Sequence, residues 1–224
     1  MTTPAPLRID FVSDVVCPWC AIGLKSLEQA LARLPELKVE LHFQPFELNP
    51  QMPPEGEEIE EHLTRKYGST PAQREQIRET IRQRGEALGF VFTKGARDRI
   101  YNTFDAHRLL HWAGLQGSQA QRDLKMALLT CYFTEGRNPG DRAVILDAVQ
   151  RAGLDVQAAA QVFDQRQFAD EVLDAESDWH AKGISSVPAI VIDGRYLIQG
   201  GQPPEAFEQA LRQIAQEAAG TAQG

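Results

Sequence analysis

The chain has 224 residues, 42% hydrophobic and 24% charged, a composition that supports a substantial core and excludes both intrinsic disorder and a disulfide-stapled mini-scaffold. Its 31 acidic against 23 basic side chains give a formal net charge of −8, so electrostatics offers no case for a nucleic-acid or anionic-membrane partner. Three cysteines are too few for a disulfide framework, and no stretch approaches the roughly 20 apolar residues that cross a bilayer.

The start, Met1-Thr2-Thr3-Pro4-Ala5-Pro6, has neither the basic residues nor the apolar core of a secretory signal, which sets the expectation of a cytoplasmic location. Leu7 to Val12 is rich in branched residues and is predicted as a buried strand. Ser13, Asp14, Val15 and Val16 then lead into Cys17-Pro18-Trp19-Cys20. Leu24, Leu27, Leu31 and Leu34 step by three and four, lining one face of a helix from about Cys17 to Leu34 that Pro35 helps to end. Val39, Leu41, Phe43 and Phe46 predict a second strand, which completes a β-α-β unit with the cysteine pair where strand gives way to helix.

From about Met52 to Phe168 nearly every signal is helical. Thr70-Pro71-Ala72-Gln73 combines a capping box with proline in the first turn, and Gly89 can close that helix. Ser118-Gln119-Ala120-Gln121 predicts a second capping box, ahead of a stripe of Leu124, Leu128 and Cys131. Asp141 is placed to cap a helix carrying Ile145, Ala148 and Val149, with Gly153 as its stop. The basic residues between Arg82 and Arg108 are interleaved with Glu86, Asp98 and Asp105 and predict a solvated helix face.

Phe168, Val172, Ala175 and Trp179 predict an amphipathic helix that runs to Lys182 and ends at Gly183. Beyond it, Val187 to Ile192 and Tyr196 to Ile198 flank Asp193-Gly194, a strong hairpin signal. Pro204 opens a last helix whose Phe207, Leu211 and Ile214 can pack on the sheet, and the tail from Ala218 to Gly224 is expected to fray.

Two cysteines separated by two residues at a helix start can store and pass on two electrons, although half of a zinc site has the same spacing. A helix N-terminus favours thiolate, the reactive form of cysteine, and Cys17 stands there. Cys20, one turn deeper on the same side, is placed to attack a mixed disulfide formed at Cys17. Pro18 suits the first turn because it has no N–H to leave unpaired, and Trp19 offers an aromatic contact to a substrate. Val187-Pro188, at the start of a strand that should neighbour the cysteine strand, fits a cis peptide bond that leaves the preceding backbone free to pair with a substrate chain.

With Asp14-Val15-Val16-Cys17-Pro18-Trp19-Cys20 early and Gly183-Ile184-Ser185-Ser186-Val187-Pro188 late, the chain resembles the DsbA-like thioredoxin superfamily, and within it the FrnE-type branch. The likeness extends through Pro45 to Pro50, Asn102 to Leu109, Tyr132 to Gly136 and Gly200-Gly201-Gln202. It implies an α/β, thioredoxin-like fold with a mixed four-stranded sheet in the order 2-1-3-4 and an α-helical insertion domain. The expected thioredoxin-like domain is discontinuous, residues 1–52 and 168–224, with the insertion at 53–167. The resemblance further implies thiol-disulfide exchange, with Cys17 as nucleophile, Cys20 as resolving thiol and Pro188 as a cis-proline beside them. Pro18, Trp19, Val187, His107 and Gln202 join Pro188 as candidate substrate contacts. The pair between the cysteines, Pro18-Trp19, lacks the histidine of the periplasmic oxidant DsbA, so its strongly oxidising poise does not carry over. Ser186 stands where glycine often precedes the valine.

No metal or organic cofactor is expected beyond the Cys17–Cys20 disulfide itself, with glutathione as one available reductant. The expected partners are protein or peptide thiols and disulfides or low-molecular-weight thiols, acted on by a monomer or homodimer. Two alternatives stay open. One is a glutathione-dependent enzyme of the kappa-class transferase or 2-hydroxychromene-2-carboxylate isomerase type, whose members use serine where Cys17 stands. The other is a non-enzymatic metal- or peptide-binding module. Cys131 shares the stripe of Leu124 and Leu128 and is read as core. His107 and His111 share a helix face at zinc-like spacing, but the chain has no second CxxC, and helix packing is the better account. Asp14 suits either of two roles, helix cap or proton relay for Cys20.

Overall fold

The computed structural model of the protein describes residues 6–221. Strand β1 (Leu7–Ser13) leads into helix α1 (Pro18–Ala32) and strand β2 (Val39–Pro45). Strands β5 (Ala189–Ile192) and β6 (Tyr196–Gln199) come late, followed by helix α9 (Pro204–Thr221). The sheet order is β2-β1-β5-β6, with β1 parallel to β2 and antiparallel to β5, and β5 antiparallel to β6. This mixed four-stranded sheet is the α/β thioredoxin-like arrangement expected, in the expected strand order. A parallel β1–β2 pair needs a crossover, and α1 supplies it.

The strand sequences follow from position in the sheet. β1 and β5 are central, so Ile9, Phe11, Val12, Ile190 and Ile192 are all fully buried, and β5 is apolar throughout. Phe11 meets Phe43 of β2 edge-on at 5.7 Å between ring centroids. Truncating a buried ring of this kind costs about 3–5 kcal/mol. On the flanking layer, Leu24 and Leu27 of α1 and Phe207, Leu211 and Ile214 of α9 join the same core. The hairpin between β5 and β6 turns at Asp193 and Gly194, with φ of 50° and 65°, the left-handed pair of a type I′ turn.

Between β2 and β5 the chain forms α2 (Ile59–Tyr67), α3 (Pro71–Ala87), α4 (Phe104–Gly114), α5 (Ser118–Phe133), α6 (Arg142–Arg151), α7 (Val156–Asp164) and α8 (Ala169–Ala181). Thr70 and Gln73 cap α3 reciprocally, and Asp141 caps α6 through Ala143 N and Val144 N. A two-residue ladder of β3 (Glu57–Glu58) and β4 (Arg99–Ile100) interrupts the helices, too short to carry a readable period.

Two expectations for this region give way to tertiary contacts. Ser118 makes no capping box with Gln121; the N-cap is Gly117 and carries no side-chain bond. Gln121 instead spends its amide on the open edge of β2, accepting from Phe43 N at 2.9 Å and donating to Phe43 O at 2.9 Å. Arg108 does not belong to a solvated face: it is fully buried and donates to the carbonyls of Val162, Phe163 and Gln167, which lie at and beyond the end of α7. At the C-terminus α9 runs to Thr221, past Ala218, where fraying is expected. Residues 222–224 and the N-terminal stretch 1–5 lie outside the described residues.

Candidate active site

The short link Asp14–Val16 turns the chain from β1 into α1 and sets Cys17 as the N-cap, with extended φ and ψ of −91° and 113°. Pro18 takes the first helical position, and the backbone N–H groups of Cys20 and Ala21 donate to the Cys17 carbonyl at 3.1 and 3.4 Å. Both cysteines are free thiols, Cys17 4% exposed and Cys20 fully buried. Burial pushes the Cys20 thiol well above the ordinary cysteine value, and the hydrogen bond and charge of Cys17 push it the same way, while Lys125 and the Asp14 backbone oppose them. The buried sulfur therefore holds its proton more tightly than an exposed thiol does.

The Cys17 Sγ donates to the Val187 carbonyl at 3.6 Å, across 170 residues of sequence. The following Val187–Pro188 peptide bond is cis. Pro188 is packed close against α1: a Cβ on Gly23 would come within 3.0 Å of its Cγ. Gly201 is held as tightly, since a Cβ there would stand 2.9 Å from the Trp19 carbonyl, so the two glycines let the proline strand and its return loop close on the cysteine helix.

Around this approach, Trp19 is half-buried beneath the Arg84 guanidinium, 5.4 Å from its ring, and Arg84 donates to the Gly201 carbonyl at 2.6 Å. Lys66 donates to Leu48 O and Asn49 Oδ1. Burial lowers its ammonium, against the opposing charges of Asp14 and Cys17. Tyr67, 60% exposed, lies within electrostatic reach of Cys17 as well.

The structure thus brings Cys17, Pro18, Trp19, Cys20, Val187 and Pro188 together. Gln202 is exposed, and its Nε2 bonds the Gln199 carbonyl in its own loop. His107, expected as a substrate contact, is 2% exposed and sits behind Asp14, because α4 packs its buried face against β2. The other expected role of Asp14, helix capping, is not realised, since α1 has no side-chain cap. Its carboxylate accepts from Leu48 N at 2.8 Å and Val16 N at 3.4 Å. His107 Nε2 stands 3.5 Å away, an electrostatic contact and not a close hydrogen bond. Burial pushes this carboxyl up, but His107, the Leu48 N–H and Lys125 outweigh it and leave it below the ordinary value.

Three buried charges lie near this site, and sequence reasoning passed over two of them, Lys125 and Glu176. Lys125 of α5 is 1% exposed and its Nζ has no hydrogen-bond partner. Glu47 and Glu176 are buried together, Glu176 Oε1 accepting from Glu47 N at 2.8 Å, and burial followed by the charge of Glu176 pushes the Glu47 carboxyl up to about 8. A signal for Lys125 exists: Leu128, Leu129, Cys131, Tyr132 and Phe133 make the end of α5 apolar nearly all round, as in a central helix, and Lys125 is one turn earlier. Among the described residues, one group has metal-ligand spacing, Cys131 with Glu135 and Asp147. Both its carboxylates already pair with Arg137 and Arg151, which fill the place of a cation. Cys131 itself is buried in the core, as expected. No helix among the described residues is long and apolar enough to cross a membrane.

Residues 8–212 match the DSBA-like thioredoxin domain family. A probable DsbA oxidoreductase from Streptomyces coelicolor superposes with a TM-score of 0.86 at 32% identity, covering 96% of this chain and 90% of that one. Protein YwbO of Bacillus subtilis (strain 168) is 23% identical over 206 residues, 92% of this chain and 96% of its own. The cytosolic disulfide reductase DsbM from Pseudomonas aeruginosa, solved with GSH, shares the fold at a TM-score of 0.62 and 17% identity, over 93% of this chain and 99% of that one.

Proposed function

Since the chain belongs to the DSBA-like thioredoxin domain family, we propose that it exchanges two electrons through Cys17 and Cys20 with disulfides of proteins or small molecules. The observation that carries this reading is the Cys17 sulfur at the N-cap of α1, 3.6 Å from the Val187 carbonyl, with Cys20 beneath it on the same helix. In the oxidising direction for the protein, the Cys17 thiolate attacks one sulfur of a substrate disulfide, and the other sulfur leaves as a thiolate. Cys20 then loses its proton and attacks Cys17 Sγ, the substrate's second thiolate departs, and a Cys17–Cys20 disulfide remains. Two thiols return the pair to its reduced form.

Pro18, Trp19, Val187 and Pro188 flank the sulfur and would meet the substrate, with no metal or organic cofactor in the cycle. Glutathione suits the reducing step: DsbM, with the same fold, is solved with GSH, and Arg84 and Lys66 give this approach cationic groups for its carboxylates. A cytoplasmic setting, where thiols are kept reduced, fits a transient and not a structural disulfide.

The test is trapping. Cys20→Ser protein offered a disulfide should hold a mixed disulfide at Cys17, identified by mass, and Cys17→Ser should lose exchange. Full activity in the Cys17→Ser protein would falsify the mechanism.

A further inference from the structure

Cys20 is fully buried, so its proton needs a way out before the sulfur can attack. In the mixed disulfide, substrate is bonded to Cys17 and covers the approach past Trp19 and Val187. A second opening lies on the far side of Asp14. A cavity of about 210 Å³ between β2, α4 and α5 is lined by His42, His107, His111, Leu115, Gln121 and Lys125 among others.

Lys125 belongs both to this cavity and to the dithiol. It lines the cavity wall and lies within charge–charge reach of Cys20, Asp14 and Cys17. Its Nζ is buried with no hydrogen-bond partner, and among the described residues no carboxylate forms an ion pair with it. An amine held in this way is unfavourable for stability, and an apolar side chain would fill the same space without that penalty. Burial pushes the lysine's proton affinity down and that of Cys20 up, so the two approach each other from opposite sides. Cys20 from α1, its N-cap Cys17 and Asp14 from the link after β1 lie within electrostatic reach of Lys125, while His107 and His111 from α4 and His42 from β2 line the same cavity.

We propose that Lys125 accepts the proton of the resolving cysteine and that the cavity behind β2 is the port through which this proton reaches solvent. The inference rests on the dithiol reading above. In its neutral form the Lys125 amine takes the proton of the Cys20 thiol through cavity water, giving an ammonium and a thiolate. The thiolate attacks Cys17 Sγ, the bond from Cys17 to the substrate sulfur breaks, and its electron pair leaves with the substrate thiolate. The ammonium then returns its proton to water in the port. Lys125 acts on Cys20 through that water and touches no atom of the substrate. It comes from the helical segment and not from the sheet, so the resolving step draws on a different part of the chain from the nucleophile.

Stopped-flow reaction of the reduced protein with a chromogenic aryl disulfide separates the steps, because Cys17 releases the first aryl thiolate and Cys20 the second. In Lys125→Met the second phase should slow by about tenfold or more near neutral pH while the first stays within about twofold, and the gap should narrow as pH rises and hydroxide replaces the amine. Lys125→Arg keeps the charge but cannot accept a proton, so it should behave as Lys125→Met does; rescue by arginine overturns the proposal. Leu115→Trp, at an exposed wall of the cavity, narrows the port and should slow the second phase alone, and it serves where the Lys125 variants do not fold. A second phase unchanged in the folded variants, or both phases slowed equally, overturns the proposal. Failure of the dithiol reading looks different: the wild-type protein itself releases no second equivalent.

Discussion

The exposed flanks carried by α3, α6 and α7 and the buried side of Asp14 both hold charged groups, and they are organised in opposite ways. On the flanks, Arg82 pairs with Glu79, and Arg142 grips Asp164 with two nitrogens at 2.7 Å each, all in side chains at least 40% exposed. Behind the cysteines, Asp14, His107, Lys125, Glu47 and Glu176 are all buried, and Lys125 Nζ, His107 Nε2 and Glu47 Oε2 make no hydrogen bond. Exposed pairs are satisfied and add little, whereas buried unpaired groups are unfavourable and persist only where something else depends on them. Under the proposed function, the least well satisfied polar groups lie next to the reacting thiols.

Substitutions on the two sides should differ in kind. The largest effect is expected at the nucleophile: Cys17→Ser should lower disulfide exchange by about a thousandfold or more, read as the rate of aryl thiolate release. Asp14→Asn comes next, because the carboxylate anchors Leu48 N and faces both His107 and Lys125. It should lower stability by about 2 kcal/mol at neutral pH in denaturant unfolding. Since the Asp14 carboxyl lies below its ordinary value in the fold, its contribution is present at neutral pH and is lost as pH falls through the acid range. The gap between wild type and variant should therefore close in acid.

Glu47→Gln should act with the reverse sign and a smaller amplitude. Its carboxyl is raised to about 8 from 4.5, so between those values the folded protein holds a proton that the unfolded chain has lost, and stability falls as pH rises through that window. The variant should flatten this slope and be the more stable protein above pH 8, by about 1–2 kcal/mol. The smallest effect is expected on the exposed flanks, where Arg142→Ala should leave the denaturation midpoint unchanged within error. A large loss there, or none at Asp14, would break the comparison.

Much of the fold was legible because its signals are local. The alternating branched residues of β1, the leucine steps of α1, the Thr70 box and the Asp193-Gly194 turn each contain their own reason within a few residues. What escaped was decided by neighbours distant in sequence. Gln121 looks like half of a capping box until β2 presents an unpaired edge to it, and Arg108 looks like a surface base until carbonyls near the end of α7 surround it. At the site, the cysteine pair and the valine-proline step could be named from sequence, and the structure sets Cys17 against Val187. Lys125 was missed: the apolar end of α5 hints that its helix is central, but the burial of the lysine itself is decided by how that helix packs and not by its own residue type.

Gln121 has one more consequence. By taking up both backbone groups of Phe43, it finishes the outer border of β2 with a side chain in place of another strand. A peptide or a second copy of the chain that sought to lengthen the sheet would find that position already taken, which leaves β6 as the growing end.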